Sequence, residues 1–91
     1  MTFEICGIEL LDGPLGPWKN GYPMEWPLPD EIVVFMNEGV VAVTTVGMEQ
    51  RAKEEFGAAY RYRKVAESQL PRPTDGMMRG ATYRIVDNGD S

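Results

Sequence analysis

The residues able to do chemistry in this chain are few and of restricted kinds. Asp30-Glu31 and Glu54-Glu55 are adjacent carboxylate pairs, a type that serves acid–base or metal chemistry. Neighbours on a strand point to opposite faces and neighbours on a helix lie about 100° apart, so neither pair converges on one atom by local geometry. All four read as solvated surface or turn residues. Histidine is absent, which removes the commonest general base near neutral pH and every Ser-His or Cys-His nucleophile. The single cysteine, Cys6, cannot form an intramolecular disulfide, and without histidine it offers no structural zinc site. Neither a G-x-x-x-x-G-K nor a G-x-G-x-x-G run is present, so no phosphate cradle is written in the glycines. Asp12-Gly13 and Asp75-Gly76 are turn dipeptides. These residues nominate no catalytic, cofactor-binding or metal-binding group, and a non-enzymatic role is the expectation.

Two aromatic constellations remain as candidate binding surfaces. Residues 12–29 hold five of the seven prolines, three of the ten glycines and both tryptophans. Fixed φ angles and missing donors exclude a helix or a central strand there. Trp18, Tyr22 and Trp26 are nevertheless too apolar for a solvated linker. The segment is read as an aromatic loop, either folded as a lid onto an undersized core or displayed as a stiff interface. The second constellation is Tyr60, Arg61, Tyr62 and Arg63, with Lys64, Tyr83 and Arg84 as possible extensions. Tyrosines stacking bases beside arginines on phosphates is how single-strand nucleic-acid binders work. The ordinary alternative packs the tyrosines on the core and leaves the arginines in solvent.

The elements that must position these residues are short. Residues 2–11 alternate imperfectly, with Phe3, Ile5, Ile8 and Leu10 as inward candidates if a bulge at Gly7 resets the period. Cys6 lies within this run and is expected to be buried as a small hydrophobe. Two β-branched runs, 31–36 and 40–46, flank Asn37-Glu38-Gly39 and predict a hairpin. Residues 48–56 are helix formers with Gly57 placed to stop them, and Met48, Ala52, Glu55 and Phe56 share a face. Gly47 makes a poor N-cap. Residues 59–66 and 81–87 suit half-exposed strands, pairing antiparallel across a Pro/Gly-rich loop at 67–80. The composite is one α+β domain over 1–91: a small, mainly antiparallel sheet of four to five strands with one short helix, and a frayed tail at 88–91. An all-β, barrel-like sheet is the alternative.

A domain of 91 residues buries only roughly 60–65% of the surface its unfolded chain exposes. A shallow groove or flat interface therefore suits it better than a deep cavity. The net charge of −5 is unevenly spread. Residues 1–50 carry eight carboxylates against one lysine, and residues 51–84 carry eight Lys/Arg against four carboxylates. Internal neutralisation in the folded state is the plain reading, and the acidic half argues against a phosphate polymer as partner. The first residues lack a signal peptide's basic and apolar regions, and no run of ~18 apolar residues occurs. A cytoplasmic protein with no membrane contact is expected.

One resemblance bears on partners. The run Glu9-Leu10-Leu11-Asp12-Gly13-Pro14-Leu15-Gly16, the entry Pro27-Leu28-Pro29-Asp30-Glu31-Ile32 and the later Tyr-Arg strands resemble small uncharacterised accessory proteins of actinobacterial phages and their hosts. Those proteins open with a strand into a Gly-Pro turn, pass through a proline-rich segment and close on Tyr/Arg-rich strands. Leu15 departs from the pattern, which often has aspartate there. The resemblance implies no catalytic residue and no particular activity. Phage accessory proteins of this size often bind a host protein, and the residues themselves put the expected contact with a cytoplasmic partner at Trp18, Tyr22 and Trp26, with Tyr60, Arg61, Tyr62 and Arg63 as the next surface. Single-stranded nucleic acid on the Tyr/Arg face is the alternative.

Overall fold

A computed structural model of the protein describes residues 3–72 and 75–86. The expected tail at 88–91 lies outside those residues. Six strands form, β1 (Phe3–Leu10), β2 (Trp18–Glu25), β3 (Glu31–Asn37), β4 (Val40–Thr44), β5 (Tyr60–Pro71) and β6 (Met77–Ile85), with one helix, α1 (Glu49–Phe56). They make a single mixed sheet in the order β2-β1-β6-β5-β3-β4. All neighbours are antiparallel except β1 and β6, which run parallel. The sheet curls until it is nearly a barrel, as in the barrel-like alternative, and one short helix is present as expected.

The strand count exceeds four to five because the proline-rich segment supplies one. Residues 12–29 are not simply a loop: β2 runs through them and pairs with β1 from Leu10↔Trp18 to Phe3↔Glu25. β2 is an edge strand, where Pro23 and its missing donor are tolerated. That register is uninterrupted, so β1 has no bulge at Gly7. Its even positions Cys6, Ile8 and Leu10 are buried, while Phe3 and Ile5, expected inside, are exposed. The register irregularity falls instead in β5, between Lys64 and Ala66.

Residues 67–80, expected as a long loop, are mostly strand. β5 continues to Pro71 and β6 begins at Met77, with Leu70 opposite Met78. Both side chains are buried, each reaching over a glycine two strands away: Leu70 occupies the space a Cβ on Gly7 would need, and Met78 adjoins Gly21. This packing between distant segments overrides the local Pro/Gly signal.

The expected hairpin joins β3 to β4, and its turn residues Glu38 and Gly39 both have positive φ (54° and 84°), the geometry that matches the twist of a two-residue hairpin. After β4 a 3-10 turn at Val46–Met48 leads into α1, and Gly57 (φ 93°) ends it by donating its N–H to the Lys53 carbonyl. No side chain caps the helix start. The helix is held by packing: Ala52 and Phe56 meet Val33, Phe35 and Ala59 on the outer sheet face, with Phe35 and Phe56 stacked at 4.6 Å. No helix among the described residues is long and apolar enough to cross a membrane. The main core fills the inner face, where Ile8, Leu10, Ile32, Val34, Tyr62 and Tyr83 are all fully buried.

The parallel β1–β6 contact is tightest at Gly80, where a Cβ would collide with the Gly7 backbone. Backbone cannot step aside as a side chain can, so Gly80→Ala should cost ~1–3 kcal/mol or more in urea denaturation. Gly47 has nothing within 4 Å of an added Cβ and no positive φ. Gly47→Ala should leave stability unchanged or raise it by up to ~1 kcal/mol.

Candidate functional site

Two buried tyrosines decide where the aromatic segment lies. Tyr62 and Tyr83 have no exposed surface. Tyr62 donates its hydroxyl to the Asp12 carbonyl and Tyr83 to the Pro29 carbonyl, both at 2.8 Å. Asp12 and Pro29 are the two ends of the proline-rich segment. Burial pushes both phenols above their ordinary pKa, keeping them protonated as donors. Asp12 also accepts the Ile85 N–H through Oδ1 at 2.9 Å, and Lys64 donates to the Leu28 carbonyl at 3.2 Å. The segment between these anchors has no choice but to run along β1, and it does so as β2.

Within β2 the side chains alternate. Trp18, Tyr22 and Met24, with Trp26 just beyond, pack half-buried against the inner core. Their spacing is that of a strand (18, 22, 24, 26, all even), not of the helical stripe that Trp18, Tyr22 and Trp26 imitate. Trp18 and Trp26 thus behave as lids at the two ends of the core, leaving part of each ring in solvent. Trp26 is further held under the Arg79 guanidinium, 4.5 Å from the ring centroid. Arg79 in turn grips Glu4 through two hydrogen bonds, at 3.1 and 2.7 Å. The bond from Arg79 holds the Glu4 carboxyl below its usual range.

The curl of the sheet brings its two edges, β2 and β4, unpaired among the described residues, to the walls of one groove of about 420 Å³. Tyr22, Pro23, Met24 and Glu25 form one wall, Val43, Thr44 and Thr45 the other, and Phe3, Pro27 and Pro29 close it. Following the pairings across the sheet, β1, β6 and β3 run one way and β2, β5 and β4 the other. The groove walls are therefore parallel strands, both presenting their C-terminal ends. Of the sequence candidates only Tyr22 lines this groove. The others that do were missed because nothing local says that residues 22–25 and 43–45 will face each other; the even spacing at 18–26 was the available clue to the strand. No family model, curated protein or solved structure matches the chain.

The second candidate surface divides. Tyr60 and Tyr62 pack into the inner core, Tyr62 completely, whereas Arg61 and Arg63 lie on the outer face. The structure does not bring rings and guanidinium groups onto one face, and Tyr62 has no surface to offer a partner. The arginines are also engaged. Arg61 meets Glu49 at 2.6 Å and Glu31 at 3.7 Å, and Arg63 donates twice to Glu31. The carboxylate pairs separate as strand and helix geometry requires: Asp30 faces Lys64 while Glu31 faces the arginines, and Glu54 accepts from Gln50. Among the described residues no three Cys, Asp or Glu side chains gather as a metal site.

The lid role sets an outcome for both tryptophans. Trp18→Ala and Trp26→Ala should each lower stability by ~2–4 kcal/mol in urea melts, near the lower end for a truncated buried aromatic because each ring is only half-buried. The ion pairs set a pH dependence. Hydrogen bonds from Arg79 and Arg61 lower the native pKa values of Glu4 and Glu49 below 4.5, so the stabilisation is complete above that value and is lost as pH falls through the lowered native values. Melts from pH 7 down to about 2 should show a shallower acid loss in Glu4→Gln and Glu49→Gln than in the parent protein.

Proposed function

We propose that the protein is a non-enzymatic interaction module that accepts an extended segment of a partner protein between β2 and β4. The observation that carries this reading is the pair of parallel sheet edges, unpaired among the described residues, facing each other across a mostly apolar groove. A single inserted strand can run antiparallel to both walls at once, bonding to each and closing the barrel. Strand addition of this kind draws affinity from the main chain and specificity from pockets for alternate side chains. The β4 edge favours it, since Val40–Thr44 has neither the charges nor the proline that protect an exposed edge. Tyr22, Met24 and Val43 supply the apolar floor. The partner is a cytoplasmic protein, and a host protein if the phage resemblance carries over.

Nucleic acid fits less well, because the tyrosines lie in the core and Arg61 and Arg63 already hold carboxylates. The test is titration of capped octapeptides of alternating valine and serine, followed by fluorescence. The parent should bind them, and Thr45→Arg, which fills the groove mouth from an exposed position, should weaken binding about tenfold or more, ~1.4 kcal/mol. Peptides that do not bind, beside single-stranded DNA that binds with a steep salt dependence, would replace this reading with the nucleic-acid one.

A further inference from the structure

The groove has a chemical polarity. Its C-terminal end, where β2 and β4 both finish, is walled by Met24, Glu25, Thr44 and Thr45. Among the described residues, Glu25 is the only charged side chain lining the groove and has no ion-pair partner. Glu4, on the adjoining strand β1, is by contrast matched to Arg79. A strand antiparallel to both walls enters with its own N-terminal end against the walls' C-terminal ends. We infer that the segment this groove accepts carries a cation at its N-terminal end, placed beside Glu25, with apolar side chains following toward Tyr22.

The inference rests on strand insertion between β2 and β4 and adds its direction and charge. The shared chemistry is an ammonium or guanidinium group, which a basic side chain or a free α-amino terminus could each supply. Direction follows from the sheet topology, because the opposite orientation would pair parallel with both walls and carry the peptide's C-terminal end to the carboxylate.

Four alternating valine/serine octapeptides separate the cases: capped with lysine at the first position, capped with lysine at the last, uncapped without lysine, and capped without lysine. At low salt the capped N-terminal-lysine peptide should bind about three- to fivefold more tightly than the capped C-terminal-lysine peptide, the scale of a partly exposed ion pair. Glu25→Gln should erase that difference and Glu25→Lys should reverse it. Glu25 makes no ion pair among the described residues, so both variants should melt like the parent, which thermal denaturation checks. A preference shown by the uncapped peptide over its capped counterpart, lost in Glu25→Gln, identifies the α-amine as a sufficient cation.

Equal binding of all four peptides would overturn the charge inference while leaving strand insertion standing. Tighter binding of the C-terminal-lysine peptide would overturn the direction. Binding of none would remove strand insertion and the inference together. A stable dimer in sedimentation that excludes the peptides would put a second copy in the groove and overturn the inference as well.

Discussion

The hydrogen bonds from Tyr62 to Asp12 and from Tyr83 to Pro29 are the constraint on which the rest of the molecule depends. A buried phenol must find an acceptor or bear the cost of an unmet donor. Here each finds a backbone carbonyl at one end of a segment that could form neither helix nor central strand. Fastened at both ends, that segment extends along β1 and becomes an edge strand. With β2 in place the sheet has six strands, and its two outermost members come round to face each other. Without the anchors there is no reason for Tyr22, Met24 and Glu25 to stand opposite Val43 and Thr44.

Why the barrel stays open follows from the two edges. β4 is only five residues long, and the chain leaves it at Thr45 for the turn into α1. β2 carries Pro23, which lacks a donor, and Gly21, which brings no side chain to the wall. Direct closure would also pair them parallel, the slightly weaker arrangement per residue. An inserted antiparallel strand has none of these handicaps on the β4 side. The outer face is closed differently, by α1 laying Ala52 and Phe56 over Val33 and Phe35.

The charges follow the same economy of position. Seven of the eight ion pairs among the described residues join an acid from residues 1–50 to a base from residues 51–84. The asymmetry along the chain is thereby remixed in space. Exposed pairs of this sort contribute little stability each and are screened by salt. Their larger effect is to occupy the arginines of the Tyr/Arg strand, while Glu25 in the groove has no ion-pair partner among the described residues.

What could be read from the residues themselves was local. The β3–β4 hairpin follows from two β-branched runs around Asn-Glu-Gly, the helix from a run of helix formers ended by Gly57, and the burial of Cys6 from its apolar neighbours. Each depends on backbone propensity and spacing within a few residues. Tertiary structure decided the rest. It made β2 out of a proline-rich segment, extended β5 and β6 through an apparent loop, turned Tyr62 inward and Arg61 outward, and placed residues 22–25 opposite 43–45. The reason is physical: an edge strand, a buried hydroxyl and a groove wall are defined by partners tens of residues away, and local periodicity carries no information about which partner a strand will find.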